Sequence, residues 1–261
     1  MFTFKNLTYS LTCLFPQPKN VAVVVTYHTI SDSGVYNAVS PKMFKEQMKL
    51  LRKNKFNPVL LSELTRMIND GGLKPKTVCV TFDDGFMDNY TNAFPILKQY
   101  KIPATIFVET CHIGLESENQ GEMFPMLGKG ELIKLQDSNL VSIEPHTVHH
   151  PRLTKISENN MYHEVRQSKD YLERLLNKKC EHFAYPYGLH NKTVHQAVSR
   201  TGIRYAYTTE EGFVRLGDDT IELNRKSMNR TISLRQFESI CLFGKFSQKR
   251  LFRAIGFTPL S

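Results

Sequence analysis

Thr77-Val78-Cys79-Val80-Thr81-Phe82-Asp83-Asp84-Gly85 is the stretch on which the fold turns. A β-branched run of strand length stops at two adjacent carboxylates and a glycine. Neighbouring carboxylates repel, and a dry core suits neither. At the end of a buried strand such a pair needs a cation, a proton or solvent. Asp-Gly is also a common turn pair. Taken alone, the stretch reads equally well as a turn or as a site.

Working outward, Val21 to Tyr27 is a continuous apolar run, as in a parallel strand buried on both faces, and His28 follows it. Ala104 to Val108 is a further short strand. Leu140 to Glu144 leads into Pro145-His146-Thr147-Val148-His149-His150, and Cys180 to Tyr185 into Pro186-Tyr187-Gly188. Tyr205 to Thr208 and Ile221 to Lys226 are the last strands expected. Between them lie helical patterns over Pro41–Asn54, Ser62–Asn69 (capped by Ser62), Asn89–Tyr100, Glu131–Asp137, Asn159–Leu176 and Asn191–Arg200. A final helix is capped by Ser233 and runs through Leu242. The polar, glycine-rich Cys111–Gly130 stretch reads as an excursion able to shape a groove. Alternating strands and helices predict a parallel α/β architecture, and in α/β barrels chemistry gathers where strands end. Four strand ends here carry reactive groups: His28, Asp83-Asp84, His146 to His150, and Tyr185 to Gly188.

Length, 261 residues, and an apolar fraction of 41% suit one large domain over 20–261, with 1–19 as an N-terminal extension. The net charge of +9 favours anionic partners, but there is no long basic run and no nucleic-acid motif, so nucleic acid is not expected. Five scattered cysteines without a CxxC pair read as reduced thiols. Met1 to Pro18 makes a poor signal peptide and is too short to span a bilayer, so a cytoplasmic location is expected. Phe243 to Phe257 mixes basic and apolar residues. A helix packed on the domain explains it, and so does peripheral contact with an anionic membrane.

His146 and His150 can point the same way if their segment turns helically. With Asp84 they make a two-imidazole, one-carboxylate set suited to a catalytic zinc-type ion, with cobalt or nickel as alternatives. Asp83 is then free to act as general base. His149 is expected to point away. His112, His163, His182, His190 and His195 have no partners nearby in sequence and are expected on surfaces or helices.

Thr81 to Gly85, His146 to Pro151 and Phe183-Ala184-Tyr185-Pro186-Tyr187-Gly188 resemble, in order and spacing, the motifs of the polysaccharide deacetylases, the NodB-homology domain. Asp88-Asn89-Tyr90, Pro95-Ile96-Leu97 and Ile102 to Val108 extend the resemblance. Tyr27-His28 and Phe44 to Leu51 resemble the branch acting on poly-N-acetylglucosamine-type glycans. The resemblance implies a distorted (β/α) barrel and hydrolysis of an N-acetyl group on an amino sugar. It implies metal at Asp84, His146 and His150, a metal-bound water attacking the amide carbonyl, Asp83 as base, and a groove wall that includes Pro186 and Tyr187. A backbone N–H near Tyr187 would help to hold the oxyanion.

Three positions depart from the pattern. Ala184 stands where many members have an arginine that orients the base, and Arg204 or Arg225 is the candidate substitute. Glu144-Pro145 replaces Gly-Ser. The late Leu-x-His acid is missing from Leu223-Asn224-Arg225-Lys226, which leaves His28 as the candidate acid or as a core histidine. Two other functions therefore stay open: deformylation or deacetylation of a lipid-linked amino sugar, and glycan binding without catalysis.

Overall fold

The structure is a computed structural model and describes residues 19–244. These residues form eleven strands and seven α-helices. The strands are β1 (Val21–Tyr27), β2 (Asn57–Pro58), β3 (Thr77–Phe82), β4 (Ala104–Val108), β5 (Glu116–Asn119), β6 (Glu122–Pro125), β7 (Val141–Pro145), β8 (His182–Ala184), β9 (Tyr205–Tyr207), β10 (Val214–Arg215) and β11 (Lys226–Ser227). The helices are α1 (Pro41–Lys53), α2 (Leu61–Asn69), α3 (Phe94–Tyr100), α4 (Lys129–Asp137), α5 (Glu158–Leu176), α6 (Lys192–Arg200) and α7 (Leu234–Phe243).

The architecture is the expected distorted (β/α) barrel. One ladder runs β10-β1-β3-β4-β7, with β11 also on β1 and β2 on β3, and β8 pairs with β9 in a second. The pairings β1–β3, β3–β4, β4–β7 and β8–β9 are all parallel. Strand residues alternate between faces, and the two faces feed different cores. Val23, Val25, Val78, Val80 and Ile106 pack outward against Phe44, Met48, Leu51, Leu97 and Leu172 of the helices. Ala22, Val24, Cys79, Phe107, Ala184, Tyr207 and Val214 come from six strands of both ladders and share one cluster, which fills the barrel interior. Leu61, Leu64 and Met67 of α2 join that cluster.

Side chains span from β7 to β8. The His182 backbone N–H donates to Glu144 Oε2 at 3.2 Å, and His146 Nδ1 lies 2.7 Å from the Ala184 carbonyl oxygen. Glu144, which replaces the expected small residue, serves this seam and pairs with Lys178 at 2.5 Å.

Several local expectations change. Residues 89–93 form a π turn ahead of α3, so the helix expected from Asn89 bends where Pro95 enters. Ser62 lies inside α2; the N-cap is Leu60, which makes no side-chain cap hydrogen bond. Of the last expected strand only Lys226 pairs with β1, as the first residue of β11, while Leu223 forms a single bridge with Tyr207. Ser40, Ser157, Asn191 and Ser233 cap their helices through side-chain oxygens. The segments Met1 to Pro18 and Lys245 to Ser261, including most of the basic amphipathic stretch, lie outside the described residues.

Candidate active site

Parallel pairing brings the strand ends to one edge, and three backbone hydrogen bonds join them around the rim. Asp83 N–H donates to the Tyr27 carbonyl at 2.9 Å, Glu109 N–H to the Asp84 carbonyl at 3.2 Å, and His146 N–H to the Val108 carbonyl at 2.9 Å. The rim encloses a cleft of about 660 Å³ lined by His28, Asp83, Asp84, His146, His150 and Tyr187 among others. Pro186, expected in the wall, is buried and does not line it.

Asp-Asp-Gly is both a turn and a site. Asp84 has φ 69° and Gly85 φ 91°, so the chain reverses at the strand end and leaves the two carboxylates facing different neighbours. A Cβ on Gly85 would also lie 3.2 Å from Val108. His146 and His150 are brought together by a turn, with Thr147 at φ 69° and His150 at φ 53°, and not by the helical turn their spacing suggested. Left-handed residues at functional positions are a common place for backbone strain to be held.

The donor atoms of Asp84, His146 and His150 lie within 4.8 Å of one another. His150 Nε2 is 3.1 Å from His146 Nε2, and Asp84 Oδ1 is 3.6 Å and 3.5 Å from the two. Tetrahedral zinc with bonds of about 2.1 Å places its donors about 3.4 Å apart, so the three atoms sit close to the edges such an ion requires. A carbonyl can only accept, so Ala184 fixes the His146 proton on Nδ1 and leaves the Nε2 lone pair for a ligand. Burial holds His146 down to about 3, reinforced by His150 and Arg225 and opposed by Asp83; its neutral, ligating form is favoured. Burial, then the charges of Asp83 and Glu109, push Asp84 up to about 7 against the opposing pull of His28 and Arg225. A carboxylate so placed calls for positive charge, and the residues fit a divalent ion.

Asp83 has a different neighbour. Arg225, wholly buried at 0% exposure, grips it through Nη1–Oδ1 at 2.7 Å and Nη2–Oδ2 at 2.8 Å. Its Nε donates to the Thr208 carbonyl at 2.9 Å and Nη1 also to Thr26 Oγ1 at 3.2 Å. Burial favours the protonated Asp83 carboxyl, but the Arg225 charge and its hydrogen bonds, helped by His146 and His28, hold the group below the usual carboxylate range. Of the two candidate arginines, Arg225 therefore replaces the one missing at Ala184. Arg204 pairs on the surface with Glu181 at 3.1 Å.

His28 lines the cleft, with Nδ1 buried and lacking a hydrogen-bond partner among the described residues. Tyr187, 51% exposed, sets its ring 4.6 Å from that of His150 and carries the Arg152 guanidinium 4.4 Å from its own centroid. Its φ of 58° and that of Gly188, 68°, make the tight turn; a Cβ on Gly188 would collide with Thr209 at 2.0 Å. His149 turns outward to Glu164, as expected, at 2.7 Å.

Two parts of the cleft escaped sequence reading. Glu109 is buried at the end of β4, lines the cleft and holds His112 Nδ1 at 2.9 Å. The strand-end rule applied to Val108-Glu109 would have found it. The excursion is the β5–β6 hairpin, and its Ser117, Glu118, Asn119 and Gln120 form one wall. Reciprocal amide bonds between Asn37 and Asn119, at 3.2 Å and 3.0 Å, tie it to the loop after β1. Three of the partnerless histidines also have neighbours. His182 is a buried strand residue 3.2 Å from the Tyr207 hydroxyl, and His190 meets His195 at 2.9 Å.

A family model for polysaccharide deacetylases matches residues 70–206, more than half of the chain. The chain belongs to the polysaccharide deacetylase family. It is a hydrolase of that type, acting on non-peptide carbon–nitrogen amide bonds. The poly-beta-1,6-N-acetyl-D-glucosamine N-deacetylase of Staphylococcus aureus (strain MSSA476) is 30% identical over 216 residues, covering 74% of this chain and 73% of the relative. Among solved structures, a Streptococcus pyogenes deacetylase, PplD, in complex with acetate superposes with TM-score 0.76 at 27% identity, over 85% of this chain and 98% of that one. IcaB from Ammonifex degensii gives TM-score 0.76 at 25% identity, over 88% and 99%. The resemblance to the poly-N-acetylglucosamine branch thus holds across most of the domain.

Proposed function

We propose that this chain removes N-acetyl groups from a poly-N-acetylglucosamine-type glycan, using a divalent ion, zinc being the best match to the donor set, held by Asp84, His146 and His150. The observation that carries the reading is the division of the Asp pair: one carboxylate lies among two imidazoles, the other in an arginine fork, on the same cleft. A divalent ion bound there supplies Lewis acidity to the carbonyl and lowers the pKa of water. Asp83, kept ionised by Arg225, accepts a proton at the carboxylate. The same fork fixes the direction in which that carboxylate points. His28, on the same cleft, protonates the departing amine. The exposed face of Tyr187 packs against a sugar ring, and the hairpin wall supplies amide and hydroxyl groups to its hydroxyls. Restoration of the arginine through residue 225 favours catalysis over binding alone, since a binding-only domain has no use for an oriented base.

The test is acetate release from N-acetylated glucosamine oligomers, with bound metal measured in the same samples. Wild type is expected to release acetate and Asp84→Ala to lose both metal at this site and activity. Full activity and metal content in Asp84→Ala would overturn the assignment.

A further inference from the structure

A second cluster of ligating side chains lies outside the cleft lining. His190 follows the Pro186–Gly188 turn, and His195 sits in the first turns of α6. Glu222 comes from the segment before β11. One donor atom from each lies within 4.8 Å of the others. His190 Nδ1 is 2.9 Å from His195 Nε2, and Glu222 Oε1 is 3.7 Å from His190 Nδ1. The cleft cluster has the same composition, with donor separations of 3.1, 3.5 and 3.6 Å. The separations of 2.9 and 3.7 Å about His190 bracket the roughly 3.4 Å donor spacing of a tetrahedral ion with bonds of about 2.1 Å, and the third pair lies within 4.8 Å.

The surroundings are built for it. Tyr185, fully buried, forms a floor, its ring 5.6 Å from His190 and 5.8 Å from His195. Its hydroxyl donates to the Ile221 carbonyl at 2.8 Å, which holds the Glu222 segment beside the histidines. Glu210 Oε1 lies 3.5 Å from the other ring nitrogen of His190, a carboxylate positioned to orient a ligating imidazole from behind. Two imidazoles with carboxylates around them suit a dication, and this donor set suits zinc, cobalt or nickel over calcium or magnesium.

We propose that His190, His195 and Glu222 form a second, structural transition-metal site that fastens the loop carrying Tyr187 to the 219–222 segment. The site stands apart from the reaction and does not depend on the substrate assigned above. The competing account is a plain hydrogen bond between two imidazoles, which binds no metal.

The probe is Co2+ added to the metal-stripped full chain, counted by equilibrium dialysis and read by its visible absorption bands. Wild type is expected to bind two ions per chain. An Asp84→Ala/His146→Ala variant is expected to keep one, with bands from nitrogen and oxygen ligation and a Tm raised by Co2+. Adding His195→Ala is expected to abolish that ion, its bands and the Tm shift together. Should His195→Ala fail to fold by far-UV circular dichroism, His195→Gln, which keeps a hydrogen-bonding partner for His190, makes the same measurement. The proposal is overturned if the Asp84→Ala/His146→Ala variant binds no Co2+, or if its Co2+ survives the change at His195.

Discussion

Replacing Arg225 with methionine removes both arms of the Asp83 fork and the bond to the Thr208 carbonyl while keeping much of the side-chain volume. Asp83 is only 3% exposed and Arg225 is wholly buried, so water replaces the lost contacts poorly. The carboxylate must then stay charged without a partner or take up a proton, and in either state it ceases to be an oriented base. Stranding one member of a buried ion pair costs about 3–5 kcal/mol. In a domain of this size each kcal/mol moves Tm by about 2–4 °C, which gives a fall of roughly 6–20 °C. Arg225→Lys keeps a charge but not the fork, and is expected to fall between the two. Asp83→Asn/Arg225→Met removes both charges and is expected to recover much of the lost stability without recovering activity. Thermal unfolding and acetate release on the four proteins test this. The reasoning fails if Arg225→Met melts and turns over like wild type, or if the double variant is no more stable than Arg225→Met.

Asp83→Asn is expected to slow turnover by about 10²–10⁴-fold with metal content at the Asp84 site retained, as measured by metal analysis beside kinetics. Tyr187→Ala, which removes an exposed aromatic face worth about 0.5–1.5 kcal/mol, is expected to raise KM about 2- to 10-fold with little change in Tm. His182 is held down to about 3 by burial first, with Lys178 and Arg204 adding to it and Glu181 opposing. Its folded pKa lies below the unfolded value of about 6.5, so its contribution to stability is present above that pH and is lost as pH falls toward 3. Urea unfolding at pH 7 and pH 5 is expected to show a loss approaching 1.4 kcal/mol per pH unit below about 6.5, and His182→Phe should flatten that slope.

Much of the barrel was legible because its central strands are continuous apolar runs. Val21–Tyr27, Thr77–Phe82 and Ala104–Val108 all fall where the sequence places them. The β5–β6 hairpin was not legible as strands. Its residues are mostly exposed and polar, so neither alternation nor an apolar run marks them. The two-residue strands β10 and β11 are set by pairing with β1 alone. In the site, Asp84, His146, His150 and Asp83 could be read because strand ends in a parallel sheet share an edge. Arg225 could only be shortlisted with Arg204, since its partner lies 142 residues away and no local pattern reports so distant a contact. The histidine pair at 190 and 195 was missed because His190 lies in a loop, outside the helical pattern of α6, and because Glu222 comes from a different segment.

The contact between His146 and the carbonyl of Ala184 bears on how such a site can change over time. The histidine asks only for a main-chain oxygen, which every residue offers, so the side chain at 184 is exempt from service to the metal ligand. Position 184 can shrink to a methyl group without loosening His146, provided a guanidinium reaches Asp83 from elsewhere on the barrel wall. Arg225 does so here, from the far end of the domain sequence. The counter-charge of the base is thus a transferable part, whereas the backbone path through residues 146 and 184 is not.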